Sequence, residues 1–223
     1  MSQSLHIAPA ATGRGFSEPR RCGRGSGGTS VASDGELRDL ILDTAERLYR
    51  GVGHETATLT DIACELAIPR AGIQRLFPSR DAIAAAVARR RFDRSVDRAC
   101  DVAMRYPSAA ARLQGFLATL HELARESRRS EPRLDDLLNV ALTARWGAAR
   151  AYIARVDAAI VAIVARGMQR DEFRRGDPVR DGRAVRMAFA RLVHRGLEPA
   201  SDSAGPSFDR VLELCLAGLR SAR

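Results

Sequence analysis

Seven residues between positions 58 and 80 are suited to contact with nucleic acid. Six are suited through their side chains, and one is a glycine, which has no side chain. Guanidinium groups grip phosphate through two parallel donors and pair with guanine, while glutamine pairs with adenine. A hydroxyl at a helix start meets phosphate, and a glycine lets the backbone approach the floor of a groove. The candidate DNA-binding residues are Thr58, Thr60, Arg70, Gly72, Gln74, Arg75 and Arg80.

Two kinds of DNA contact are predicted within this set. Thr60, Arg70 and Arg80 fall close to predicted helix ends, where contacts to phosphate set the affinity for any DNA. Gln74 and Arg75 are long enough to reach base edges from the middle of the last helix, which sets sequence preference. For Gln74, contact with solvent or phosphate stays open as the alternative.

The sequence offers no comparable set for catalysis or for metal binding. None of the four histidines stands beside a cysteine or a carboxylate pair at metal-ligand spacing. They are His6, His54, His121 and His194. The cysteines are too scattered for a zinc site or a dense disulfide framework, and no serine or cysteine has a nearby base in a recognisable order. We therefore expect no enzyme activity, no metal and no cofactor.

Three short helices are predicted to carry the candidate DNA contacts. Apolar residues at spacings of three and four indicate a helix over residues 37–50. Thr58 and Asp61 then form a capping box that starts a second helix. This helix stops before Pro69, because the residue preceding a proline is pushed out of helical geometry. A third helix follows at once and runs to Pro78.

Three segments resemble the N-terminal region of TetR-type transcriptional regulators. They are TLTDIA at residues 58–63, AIPRAGI at residues 67–73 and FPSRDAI at residues 77–83. The resemblance implies an all-α fold, with an N-terminal three-helix helix-turn-helix DNA-binding domain followed by a helical ligand-binding and dimerisation domain. A C2 homodimer would place two recognition helices one helical turn apart on DNA.

Five positions depart from the pattern of that family. The family usually has glycine, serine, tyrosine, an aromatic residue and lysine at the positions that here hold Ala67, Pro69, Gln74, Leu76 and Arg80. The family tyrosine commonly touches a phosphate, so that contact is not carried over to Gln74. These departures also keep open a protein-interaction module whose helix-turn-helix does not read DNA.

Composition agrees with an all-α protein. The 223 residues have a formal net charge of +9, and all 36 basic residues are arginine. Arginine suits phosphate, but an excess of arginine and alanine also follows from a GC-rich genome, which we take as the larger cause. The longest apolar run, residues 158–165, is too short to cross a bilayer. With no apolar signal-peptide core near the N-terminus, a cytoplasmic protein without a membrane partner is expected.

Three regions are predicted along the chain. Residues 1–34 are rich in glycine, serine and arginine and form a disordered basic arm, which either lies along a minor groove or is a leader or misplaced start without function. Residues 35–80 form the DNA-binding domain. Residues 81–223 form the ligand-binding and dimerisation domain, with a loop predicted over residues 127–130 and a break near Trp146.

The second domain holds the candidate effector contacts. For any one of its large side chains, core packing is the simpler explanation. As a group they suit the apolar wall of a cavity between helices. The candidate ligand-binding residues are Met104, Phe116, Leu120, His121, Trp146 and Tyr152.

The last two predicted helices have apolar stripes that are too broad for one chain to cover. A second copy of the chain covers such an excess in the family that the sequence resembles. The candidate contacts of this homodimer interface are Phe189, Leu192, Val193, Leu212, Leu216 and Leu219.

The sequence thus predicts a ligand-responsive DNA-binding transcriptional regulator. Its partners would be a palindromic double-stranded DNA operator, a small-molecule effector of unknown identity and a second copy of the chain. The expected mode of action is repression, with the effector releasing the protein from DNA. The alternative is an all-helical small-molecule-binding protein or enzyme whose helix-turn-helix is not used to read DNA.

Overall fold

A computed structural model describes residues 33–194 and 207–220. Regular structure within these two ranges is entirely helical, which confirms the predicted fold class. The nine helices of these ranges are α1 (Asp34–Val52), α2 (Leu59–Leu66), α3 (Arg70–Leu76), α4 (Arg80–Met104), α5 (Ala109–Ser130), α6 (Pro132–Thr143), α7 (Gly147–Gln169), α8 (Pro178–Val193) and α9 (Phe208–Arg220). Across the described ranges, none of the helices has the length and apolar character needed to cross a membrane.

Helix α1 begins earlier than the sequence predicts. The Glu36 amide donates a hydrogen bond to Ser33 Oγ at 3.3 Å, and the Ser33 amide donates to Glu36 Oε2 at 2.8 Å. This reciprocal pair satisfies amides that would otherwise be free near the helix start. Ser33 and Asp34 therefore belong to the helical domain and not to the predicted arm, whose other residues lie outside the described ones.

The predicted capping box at the start of α2 is confirmed. The Asp61 amide donates to Thr58 Oγ1 at 3.2 Å, and the Thr58 amide donates to Asp61 Oδ2 at 2.8 Å. The helix ends where the Ile68 amide reaches back to the Ala63 carbonyl at 3.1 Å. Ala67 lies inside this turn with a left-handed φ of 53°. That conformation favours glycine, which is the residue that the TetR-type pattern usually has at this position.

Helix α4 joins the head, which we define as α1–α3, to the body, which is α4–α9. It packs against α1 of the head and against α5, α6 and α7 of the body. Its fully buried Ile83 and Val87 belong to the same continuous core as Phe77 of the head. The predicted division after residue 80 therefore falls at a turn between helices and not at a gap in the packing.

Two glycines allow close packing against α7 and at its end. A Cβ atom at Gly182 would lie 2.8 Å from Val161 Cγ2 and 3.1 Å from Val161 Cα, so α8 approaches the backbone of α7 closely. A Cβ atom at Gly167, near the end of α7, would overlap the buried Phe173 ring. Such contacts force neighbouring atoms to shift, which destabilises a close-packed core.

Two predictions about the body have different outcomes. The predicted loop over residues 127–130 is wrong, because α5 continues to Ser130, whose hydroxyl bonds to Glu126 one turn earlier. The chain instead breaks just before Pro132, which opens α6. The predicted break near Trp146 is confirmed as the turn between α6 and α7.

Helices α8 and α9 bury most of their apolar stripe against their own chain. Both pack on α5, and α8 also packs on α7. The predicted dimer contacts that are buried within one protomer are Phe189, Val193, Leu212 and Leu219. Leu192 and Leu216 are half-buried. This corrects the expectation that one chain leaves these stripes uncovered, since α5 and α7 cover them. The large apolar side chains of α8 and α9 that stay exposed are Val179, Met187 and Leu214.

Candidate DNA interface and effector cavity

Helix α3 presents one polar face to solvent. Ile73 and the following Phe77 are buried and anchor the helix to the head. The exposed residues are Arg70, Ala71, Gln74 and Arg75. Spacings of three and four residues place these side chains together on one side of a helix. Ala71 was not predicted as a DNA contact, but its methyl group suits contact with the methyl group of thymine.

Arg75 is held in an ion pair with the start of α1. Its Nη1 and Nη2 donate to the two carboxylate oxygens of Asp34 at 2.9 and 2.7 Å. Both side chains are more than half exposed, so the pair contributes little to stability and can exchange. Arg75 must leave Asp34 before it can reach a base edge. Gln74 has no hydrogen-bond partner among the described residues and needs no such exchange.

The remaining predicted DNA contacts are exposed or lie at an open surface. Thr58 and Thr60 are exposed at the start of α2, and Arg80 Nη1 donates to the Glu55 carbonyl at 2.6 Å from the start of α4. A Cβ atom added at Gly72 would meet no atom within 4 Å. The fold therefore does not require a glycine at this position.

The body contains a cavity of about 170 Å³ with walls from α4, α5, α6 and α7 and from the end of α8. A smaller, apolar space of about 40 Å³ lies beside it between α5, α7 and α8. The two spaces share four wall residues, which are Leu120, Tyr152, Val193 and His194. A space between the helices of a bundle is a common place for a small ligand.

Leu120 and Tyr152 are the predicted ligand contacts that line this cavity. Three other predicted contacts are not among the residues that line it. Phe116 is fully buried in packed core, and Trp146 is half-buried at the corner between α6 and α7. Met104 is 66% exposed at the end of α4. All three were chosen for their size, but the packing of each helix turns them away from the cavity.

His121 lies on the side of α5 that faces α8 and α9. Its Nδ1 is 2.9 Å from the Leu192 carbonyl oxygen, and its ring stacks on Phe208 with 5.0 Å between ring centroids. It borders a surface groove and is not among the residues that line the cavity. His121 thus ties α5 to α8 and α9, which is a structural use of a half-buried histidine.

Arginine dominates the polar wall of the cavity. Its charged side chains are Arg91, Arg94 and Arg98 from α4, Arg128 from α5 and the carboxylate Asp135 from α6. Burial raises the pKa of Asp135, so the protein disfavours the charged form of this carboxyl. The spacing of the three α4 arginines was visible in the sequence, but the direction in which they point was not.

Neutral rings form another part of the wall. Burial lowers the pKa of His194 to about 4, and the positive charges of Arg128 and Arg186 add to the shift, so His194 is neutral near pH 7. The His194 ring meets Tyr152 edge to face at 5.3 Å between centroids. Tyr152 in turn stacks on Phe92 at 4.6 Å.

Some of the arginines in the cavity wall also bind the head. Glu46 of α1 is 2% exposed, and its Oε2 lies 2.8 Å from Arg90 Nη2 and 3.5 Å from Arg94 Nη1. Arg91 Nη1 lies 3.3 Å from Glu46 Oε1, while its Nη2 lies 2.5 Å from Glu131 at the start of α6. We call these five residues the head–body junction.

Comparison with known proteins agrees with this arrangement. A family model described as "Tetracyclin repressor-like, C-terminal domain" matches residues 109–209. The structure of a TetR-family transcriptional regulator from Pectobacterium atrosepticum is similar with a TM-score of 0.61 and 14% identity, over 86% of this chain and 94% of that chain. Residues 109–209 thus match the C-terminal domain of tetracycline-repressor-like proteins, and the described ranges have the fold of TetR-family regulators. This confirms the fold that the resemblance in the head implies, which is a helix-turn-helix head followed by a helical body.

Two further solved structures resemble this chain along most of its length. A TetR/AcrR-family regulator from Thermobifida fusca has a TM-score of 0.58 and 20% identity, over 84% of this chain and 98% of that chain. A transcriptional regulator from Cytophaga hutchinsonii has a TM-score of 0.63 and 16% identity, over 84% of this chain and 100% of that chain. At these identities the likeness shows the fold. A sequence comparison with curated proteins gives no match.

Proposed function

We propose that this protein is a homodimeric repressor of the TetR family that leaves its operator when a small molecule enters the cavity. The observation that carries the proposal is that Arg91 and Arg94 line the cavity and also bind Glu46 of the head. A ligand that moves these arginines changes how α1 is held and, through the packed head, where α3 lies. The head would thus have two positions, one that fits the operator and one that does not. The loss of DNA affinity equals the difference between the ligand's affinities for these two states.

The homodimer would form through the outer sides of α8 and α9. Met187 is 63% exposed and Leu214 is 58% exposed, although both helices have their other large apolar residues mostly covered. Ala184 and Ala188 are exposed beside Met187, and such small side chains let helices approach closely. A C2 dimer through this face has two identical heads, so its operator would be an inverted repeat.

Within each head, the residues divide into two roles. Thr58, Thr60, Arg70 and Arg80 would contact phosphate and set affinity. Gln74 is exposed and unpartnered among the described residues, so we propose it as the first base contact. Arg75 would form a second base contact after it leaves its ion pair with Asp34.

Selection from a random DNA pool tests this function. We expect recovery of an inverted repeat, with an affinity that falls steeply as salt rises because phosphate contacts release counterions. Arg80→Ala should flatten that salt dependence by about one unit of slope on every DNA. A recovered site without a repeat would contradict the dimer. No retention of DNA at low salt would contradict DNA reading, and increased transcription from a template carrying the site would contradict repression.

Gly72→Ala separates DNA contact from folding. The added methyl group meets open space in the free protein, so the helix should gain up to about 1 kcal/mol of stability. If the Gly72 backbone approaches the groove floor, operator affinity should still fall by about tenfold or more. Gly51→Ala is the matched control, because this exposed α1 glycine also has nothing within 4 Å of an added Cβ. Equal operator affinity for the two variants would remove Gly72 from the interface.

A further inference from the structure

The cavity in the body contains more positive charge than its own carboxylate can balance. Four guanidinium groups line it, and Asp135 is the carboxylate among its described lining residues. Neither Arg98 nor Arg128 forms a salt bridge in the described part of the chain, although the charge of Arg128 acts on Asp135 and lowers the pKa of that carboxyl. Arg128 has a long contact of 3.5 Å to the Val193 carbonyl, which leaves most of its donors unused.

The neighbouring surface groove shows the opposite pattern. It is larger and also rich in arginine, and two of its arginines are balanced by carboxylates on the same helix. Arg125 pairs with Glu122 at 3.2 Å, and Arg129 pairs with Glu126 at 2.5 Å. Arg128 lines both the groove and the cavity, so the unbalanced charge of α5 is the one that reaches the cavity.

A buried hydroxyl adds a further unused group to the cavity. Ser127 is 8% exposed and lines the same space as Arg128. Its Oγ lies close enough to Asp135 to lower the pKa of that carboxyl but forms no hydrogen bond of full geometry. Buried polar groups normally have partners, so this hydroxyl is available to a ligand.

The smaller space beside the cavity is suited to hydrocarbon. Its walls are apolar apart from Arg186 and the neutral His194, and they include Leu117, Val156 and Phe189. The larger cavity has about 170 Å³, similar to the roughly 150 Å³ of an apolar cavity that holds benzene. Together the two spaces fit a small molecule that has one polar end and one apolar end.

We propose that the effector is an amphipathic carboxylate, with its head group held by Arg98 and Arg128 and its hydrocarbon part directed toward the apolar space. This inference rests on the proposed function in one respect, which is that it calls the ligand an effector. Guanidinium holds carboxylate through parallel, charge-assisted hydrogen bonds, which accounts for two cations without a salt bridge in one cavity. The new anion also attracts Arg94, which otherwise lies 3.5 Å from Glu46 of the head.

Calorimetric titration with matched probes tests the ligand class. Octanoate, octanol and octylammonium share one tail and differ in charge, and hydrocinnamate supplies a second carboxylate with an aromatic tail. We expect both carboxylates to bind, and octanoate to bind about tenfold more tightly than octanol, with no binding of octylammonium. Arg98→Gln and Arg128→Gln should each remove most of the octanoate advantage and leave octanol unchanged.

Arg125→Gln is the matched control, because it removes the same charge one turn earlier on α5, outside the cavity. It should bind octanoate as the unaltered protein does. The proposal is overturned if octanol binds as tightly as octanoate, if neither carboxylate binds, or if folded Arg98→Gln and Arg128→Gln variants keep full octanoate affinity. Circular dichroism of each variant establishes that it is folded.

The two proposals fail in different ways. Octanoate binding by a protein that retains no DNA would support the ligand class and contradict the regulator mechanism. DNA binding to an inverted repeat, together with no binding of either carboxylate, would support the regulator and contradict the ligand class.

Discussion

Ala67 has a backbone conformation that its side chain disfavours. Its φ of 53° lies in the left-handed region, which costs an L-residue about 1–2 kcal/mol. Ala67→Gly should therefore raise the free energy of unfolding by about 0.5–1 kcal/mol, after the extra entropy of glycine in the unfolded chain is subtracted. Urea unfolding measures the change. Ala158→Gly, at an exposed position within α7, is the control and should lower stability by about 1 kcal/mol.

His194 makes the stability of the fold depend on pH. The folded protein keeps its pKa near 4, whereas the unfolded chain takes up a proton near the ordinary value of 6.5. The stabilisation is complete above about pH 6.5 and is lost as the pH falls toward about 4, by up to about 1.4 kcal/mol per pH unit. Urea unfolding at a series of pH values should show this slope. In His194→Gln part of the slope should disappear, and an unchanged slope would assign it to other groups.

At the scale of single residues, the sequence predicted correctly those features that depend on residues close to each other in the chain. Thr58 and Asp61 cap α2 through bonds between near neighbours, so the pattern alone was enough. Met104 and Trp146 were misplaced because their exposure depends on how helices turn against each other. A large apolar side chain has the same appearance in a sequence whether it faces a cavity, a core or solvent.

Among the helices, the contact between α1 and α4 is the one most dependent on charge. Glu46 is buried, and Arg50 and Arg90 approach its two carboxylate oxygens at 2.5 and 2.8 Å. Glu46→Gln leaves the surrounding guanidinium groups without their anion, so we expect a loss of about 3 kcal/mol of stability. Chemical denaturation measures it.

Glu122→Gln is the control for this change. It removes the partner of Arg125 from a pair in which both side chains are more than half exposed. Such pairs contribute about 0–1 kcal/mol, so the variant should unfold nearly as the unaltered protein does. Equal losses for the Glu46 and Glu122 variants would show that burial of Glu46 does not matter.

The sequence predicted most helices because their limits depend on nearby residues. Pro69 and Pro132 mark breaks that follow from proline geometry alone. The end of α5 was missed because polar residues 127–130 look like a loop until their bonds to the preceding turn are seen. The junction of α1, α4 and α6 was not predicted, since it joins residues 40 to 45 positions apart in the sequence.

At the scale of the whole molecule, the position of the dimer interface can be tested by one exposed methionine. Met187→Arg places a charge in the proposed contact between protomers, so sedimentation should show monomers in place of dimers. Met104→Arg makes the same change at a side chain with similar exposure on α4. It should leave the dimer intact. A dimer that survives the Met187 change would place the interface on another face.

The composition of the head–body junction limits how a cell could adjust it. Each of its cations is arginine, and the chain has no lysine at all. Acetylation, which neutralises lysine, therefore has no side chain to modify there, and guanidinium stays protonated at any pH that a cell reaches. A competing anion can still loosen Arg94, which lies 3.5 Å from Glu46 and is the most exposed arginine of the junction. This contact should thus weaken as ionic strength rises, while the close packing of Gly182 in α8 against Val161 in α7 should not.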